Sequence, residues 1–110
     1  FMSWAYQNKP EMMEQLAEAY TKAGNDNDAL VIPAGLAFAR VVKSNPEIAL
    51  YVADKRHPTL AGSYLAACVT YAALFKHSPV GLKYTAGLDE KSVQVLQEAA
   101  WQTVQEYYRR

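Results

Sequence analysis

Apolar residues recur along this chain in two rhythms. One is short and unbroken. Residues 1–6 (with Phe1, Met2, Trp4, Ala5 and Tyr6) and residues 29–32 (Ala29, Leu30, Val31, Ile32) are brief apolar runs, closed by Asn8-Lys9-Pro10 and by Pro33. Runs of this length between turn residues predict strands, the second of them buried on both faces. Residues 48–52 read as a third short extended segment. The other rhythm is helical. Met12, Met13, Leu16, Ala17, Tyr20 and Ala23 repeat at helical spacing, with Pro10 suited to the first turn and Gly24-Asn25 as a stop. A second helix is predicted over 34–43, with Phe38, Val41 and Val42 inward and Ser44-Asn45-Pro46 ending it. Thr59 caps the strongest helix, which runs to about Lys76 with Leu60, Tyr64, Ala67, Cys68, Tyr71 and Phe75 as its buried stripe. His77-Ser78-Pro79 stops it, and residues 80–88 form a loop. Asp89 caps a last helix with Val93, Leu96, Ala100, Val104 and Tyr107 on one face.

The predicted order is strand, helix, strand, helix, loop, helix, helix, an alternation that argues for an α/β fold with parallel strands. Two or three short strands make a poor sheet alone, and exposed sheet edges need covering. The expectation is that further chain from the same protein or a second copy, in a homo-oligomer, covers them.

Composition narrows the partners. The chain has 110 residues, 51% of them hydrophobic, enough for one modest core, and reads as one domain or part of one over residues 1–110. Eleven Lys and Arg balance eleven Asp and Glu, so charge gives no reason to expect nucleic acid or an acidic membrane as partner. No apolar run approaches the roughly 20 residues of a membrane span. Cys68 is the single cysteine, so no internal disulfide forms, and it reads as a small core residue. The start lacks a basic stretch followed by an apolar one, so no signal peptide is read. The first residue is Phe1 rather than Met, which fits a fragment, a processed chain or a trimmed one and leaves the parent's compartment open, secretion or periplasm included.

Candidate chemistry lies in Asp54-Lys55-Arg56-His57-Pro58-Thr59-Leu60-Ala61-Gly62. In a tight turn, Asp54 and His57 converge. The carboxylate then holds one imidazole nitrogen and leaves the other free to take a proton from a nucleophile. If residues 48–52 are a strand, this loop sits at its carboxyl end, where α/β sheets bind ligands. The same spacing also arises by chance, with Asp54 as a turn or capping residue and His57 structural.

Asp54-x-x-His57-Pro58, followed by Thr59, Gly62 and Tyr64-Leu65-Ala66-Ala67, resembles the last conserved block of the SGNH (GDSL-type) hydrolases. Phe75 with Ser78-Pro79-Val80-Gly81 is similar to the continuation found in a bacterial branch of that superfamily, and Met2-Ser3-Trp4-Ala5-Tyr6 and Val31-Ile32-Pro33-Ala34-Gly35 are similar to its later strands. The resemblance implies the C-terminal part of a three-layer α/β/α, flavodoxin-like domain that cleaves esters without metal or organic cofactor. It implies Asp54 as orienting acid and His57 as general base. The family's Gly-Asp-Ser nucleophile block and the glycine and asparagine of its oxyanion hole have no match here. Gly24-Asn25-Asp26 follows a predicted helix at the wrong spacing to stand in for the asparagine block.

No other serine takes the nucleophile's place. Ser3 lies in a predicted strand, Ser44 and Ser78 in stop signals, and Ser63 and Ser92 in first helical turns, whereas an exposed nucleophile needs a strand-to-helix elbow. His77 is expected to meet the last carbonyls of its helix. Two histidines without a cysteine cluster make no metal site. Trp4 and Tyr6 read as core or rim packing, or as the wall of an acyl or sugar pocket. Lys55 and Arg56 read as solvated charges, with Arg56 open to an anionic substrate group. The expected function is therefore the Asp–His half of a serine esterase or lipase-like hydrolase acting on small-molecule or carbohydrate esters, inactive as the isolated chain. The alternative is a non-catalytic interaction module, a small α/β or mostly helical unit whose apolar helices pair with another copy.

Overall fold

The computed structural model describes residues 1–109, and these form α1 (Met12–Asn27), α2 (Ala34–Ser44), α3 (Leu60–Phe75) and α4 (Glu90–Arg109). The described residues contain no strand, only an isolated antiparallel bridge between Tyr51 and Pro58. The α/β fold expected from the sequence, and with it the three-layer flavodoxin-like architecture, is corrected to an arrangement of helices.

The physical reason lies in the backbone partners. Segments 1–6 and 29–33 do lie side by side, since the Met2 N–H donates to the Ile32 carbonyl at 2.9 Å and the Gly35 N–H to the Met2 carbonyl at 3.0 Å. The pairing goes no further. Val31 gives its N–H to the Tyr108 hydroxyl of α4 and receives the hydroxyl proton on its carbonyl, so a side chain takes the bonds a neighbouring strand would have made. Strand preference depends on such neighbours, and a pair of short segments does not make a sheet. With no sheet there is no sheet edge among the described residues, and the edge-covering reason for a second copy lapses.

α2 packs on α1, α3 and α4, and α3 packs most extensively on α4. The molecule is 19 Å thick in its short direction, about two helix diameters. The core joins Ala37, Phe38 and Val41 of α2, Leu65, Cys68, Val69, Ala72 and Ala73 of α3, and Leu96, Ala100 and Val104 of α4. The buried stripe of α3 is therefore shifted from the expected one. Ala61, Leu65, Cys68, Val69, Ala72 and Ala73 face inward, while Leu60 and Phe75 are 56% and 60% exposed and Ala67 is exposed. Small residues face the neighbours together with Tyr64, Leu65 and Val69, while the large Leu60, Leu74 and Phe75 are turned out.

Helix ends follow their capping chemistry. Thr59 accepts from the Gly62 N–H at 3.2 Å, and Asp89 accepts from the Ser92 N–H at 3.0 Å, which holds its carboxyl below the usual range. Gly24 does not stop α1. The helix continues to Asn27 and ends on left-handed Asp28, φ 50°, because Gly24 is needed for close approach: a Cβ there would stand 2.5 Å from Val31 Cγ2. Residues 79–84 are fastened to α4 by buried Gln97, which donates to the Tyr64 hydroxyl and the Leu82 carbonyl and accepts from the Gly81 N–H, each at 3.0 Å. Gln97→Ala removes all three partners at once. It is expected to cost about 2 kcal/mol, a fall in Tm of roughly 8 °C in a circular-dichroism melt.

Candidate functional site

The turn that carries Asp54 and His57 is closed at its base by backbone bonds. The Thr59 N–H donates to Leu50, the Val52 N–H to His57 and the Lys55 N–H to Val52, each at 2.9 Å. Lys55 sits in the left-handed region at φ 64°, which reverses the chain within these few residues. Asp54 organises the interior of the turn. Its Oδ1 accepts from the Arg56 N–H at 2.8 Å and the His57 N–H at 2.9 Å, and its Oδ2 is paired with His57 Nδ1. The carboxylate thus does the work of an Asx turn and of a histidine anchor together.

These bonds hold the Asp54 carboxyl well below the usual carboxylate range. The His57 backbone N–H is the largest cause, followed by the His57 ring and the Arg56 N–H. With Nδ1 facing a carboxylate, the neutral imidazole carries its proton on Nδ1 and presents Nε2 as an acceptor. The ring is 78% exposed, so Nε2 is open to solvent. In chemical terms, the arrangement can accept a proton from a hydroxyl or a water while the carboxylate stabilises the imidazolium that forms.

The turn is also tied to the core from outside. The Trp4 indole N–H donates to the Arg56 carbonyl at 2.8 Å, and the Gln7 N–H to the Lys55 carbonyl at 2.8 Å. Trp4 stacks on buried Phe38 at 4.2 Å between ring centroids, and Phe38 meets Tyr51 edge-on at 5.8 Å. The Tyr51 hydroxyl donates to the Ala5 carbonyl at 2.7 Å, and burial pushes that phenol above its ordinary value. Trp4 therefore packs in the core and positions the turn. Tyr6 is half-buried beneath Arg56, whose guanidinium carbon lies 4.6 Å from the ring centroid.

Tyr6 borders a cavity of about 230 Å³ with Pro10, Met13, Val42 and Tyr51, and neither Asp54 nor His57 lines it. No serine is bonded to His57 among the described residues. Ser3 meets the Tyr20 hydroxyl, Ser44 donates to Arg40, Ser78 accepts from Val80, and Ser63 and Ser92 use their backbone N–H groups in first helical turns. His77 does not take the last carbonyls of α3 as expected. Left-handed Lys76 does so, its N–H bonded to the Ala72 carbonyl. Cys68 is buried, which pushes its thiol up to about 11 and leaves it inert at neutral pH. No three or more His, Cys, Asp or Glu side chains among the described residues are grouped to hold a metal. No helix among the described residues is long and apolar enough to cross a membrane. Sequence reasoning missed the Trp4, Phe38 and Tyr51 stack, for which aromatic identity was the only signal. Compared with known proteins, the chain matches no family model, no curated protein and no solved structure.

The geometry leads to two expected outcomes. Because the folded Asp54 value is depressed, the turn's stabilising contribution is present above the usual carboxylate range and is lost as pH falls through the folded value. In a carbon-13 titration, the Asp54 carboxyl is expected to stay ionised at lower pH than in an unstructured peptide of residues 50–60. Second, a Cβ on Gly62 would stand 2.5 Å from the Leu50 carbonyl oxygen and 2.9 Å from Pro58 Cβ. Gly62→Ala is expected to cost about 1–3 kcal/mol in a urea melt and to shift the His57 amide resonance, since the base of the turn must move.

Proposed function

We propose that this chain supplies the acid and the base of a serine-type ester hydrolase, with the nucleophile contributed by residues outside these 110. In this reading His57 Nε2 takes the proton of a serine hydroxyl as it attacks an ester carbonyl. Asp54 holds the ring and stabilises its charge, and His57 returns the proton to the leaving alcohol. Water then hydrolyses the acyl-enzyme with the same base. The observation that carries the reading is the Asp54 Oδ2 to His57 Nδ1 pair, on a turn that leaves the opposite nitrogen exposed. The Asp-x-x-His-Pro resemblance to SGNH hydrolases supports the same roles. The proposal does not depend on a three-layer architecture, which these helices do not form.

The pairing exceeds what a simple capping role needs. A turn-forming aspartate requires only its backbone acceptor bonds, which Oδ1 supplies, yet Oδ2 is committed to the imidazole. The test uses the complete gene product with p-nitrophenyl acetate. His57→Ala and Asp54→Asn are each expected to lower kcat/KM by about 10⁴-fold. A fluorophosphonate probe is expected to label a serine outside these 110 residues. Hydrolysis that survives His57→Ala, or the absence of any labelled serine, would overturn the proposal.

A further inference from the structure

Arg56 is one residue from His57 on the same turn, and its surroundings differ from those of an ordinary solvated arginine. Its backbone is fixed at both ends: the N–H donates to Asp54 Oδ1 at 2.8 Å and the carbonyl accepts from the Trp4 indole at 2.8 Å. Its guanidinium lies over the Tyr6 ring, 4.6 Å from the centroid. A ring face holds a guanidinium in place without neutralising it, and the planar fork of N–H donors stays available at its edge.

That charge has no carboxylate partner among the described residues. The ion pairs there join Lys22 to Asp26, Arg40 to Glu106 and His57 to Asp54. Asp54, the acid nearest in sequence, already serves two backbone N–H groups and the imidazole. Lys55, on the other side in sequence, is exposed and likewise without an ion pair there. The chain as a whole is neutral, and the two unpaired charges of Lys55 and Arg56 stand next to the candidate base in sequence.

We infer that Arg56, seated on Tyr6, is the specificity-determining residue of this site and selects esters that carry a carboxylate, such as half-esters of dicarboxylic acids. A planar carboxylate matches the guanidinium fork in two parallel hydrogen bonds, which orients the ester as well as attracting it. Tyr6 sets the direction of the fork, and Lys55 adds attraction without geometry. The inference rests on the hydrolase reading for the word substrate, but the carboxylate binding does not need turnover.

The test therefore separates binding from hydrolysis. Monomethyl succinate and its neutral counterpart dimethyl succinate are titrated into nitrogen-15-labelled chain. The expected result is saturable shifts at Arg56, His57 and Tyr6 with the half-ester, and binding about fivefold weaker for dimethyl succinate and for Arg56→Gln. Arg56 is exposed, so the substitution leaves the fold intact. Tyr6→Leu keeps the charge and removes the shelf, and is expected to weaken half-ester binding less than Arg56→Gln does. Equal binding of the two esters, no loss in Arg56→Gln, or no binding at all overturns the inference and leaves the hydrolase proposal standing. In the complete gene product, Arg56→Gln is expected to raise KM for monomethyl succinate alone, while His57→Ala abolishes turnover of both esters. Half-ester binding that depends on Arg56, together with hydrolysis indifferent to His57, would instead remove the hydrolase proposal and leave a carboxylate-binding site.

Discussion

Phe38 is the side chain on which the rest of this structure is hung. It is fully buried in α2 and touches three pieces of chain far apart in sequence. Trp4 lies flat on it, Tyr51 meets it edge-on, and its Cζ would be 3.2 Å from a Cβ on Gly62. Those contacts fix the N-terminal segment, the strand-like residues before the turn and the first turn of α3 against one ring. Offset and edge-on aromatic pairs add about 0.5–1.5 kcal/mol each beyond the area they bury. The Asp54 turn hangs between these anchors, so its position follows from an aromatic cluster it does not itself belong to.

Given that position, local bonds set the chemistry. A carboxylate in water has little reason to hold one orientation, and an exposed ion pair is worth only about 0–1 kcal/mol. Asp54 is different because its oxygens are shared among two amides and a ring, all within three residues. The amides constrain the carboxylate, and the carboxylate in turn constrains the imidazole. Trp4 and Gln7 add bonds from outside to the carbonyls of Arg56 and Lys55, so the turn is held on its convex side as well. An exposed histidine thereby gains a defined orientation without being buried, which leaves its outer nitrogen accessible to a reacting group.

What was legible in the sequence divides along the range of the interactions. The Asp54 and His57 pairing, the Thr59 cap, the Asp89 cap and the end of α2 at Ser44 all depend on partners within a few residues, and each could be read from spacing. The strands could not. Residues 1–6 and 29–32 have strand composition, but whether such segments ladder depends on distant neighbours, and here the Tyr108 hydroxyl intervened at Val31. The face of α3 was misjudged for a related reason. Its sequence is apolar nearly all round, so periodicity gave no single direction, and packing on α2 and α4 decided which apolar residues are buried. Gly24 looked like a stop because its packing against Val31 is invisible without the fold.

The same division separates the Asp54–His57 pair from the overall architecture, because its members are neighbours within one turn. A catalytic pair built across a sheet would disappear with the sheet, because its members would be brought together only by strand order. Asp54 and His57 are brought together by a turn that closes on itself between Leu50 and Thr59. The turn needs the aromatic anchors beneath it, and those are supplied by helix α2 and by extended chain that makes no ladder. Nothing in the geometry of the pair requires a third layer. The hydroxyls of Ser3, Ser44 and Ser78 are bonded elsewhere, to Tyr20, Arg40 and the Val80 N–H, and no serine among the described residues is bonded to His57. The pair is therefore both oriented and exposed, with the Arg56 guanidinium, next to it in sequence, seated on the Tyr6 ring.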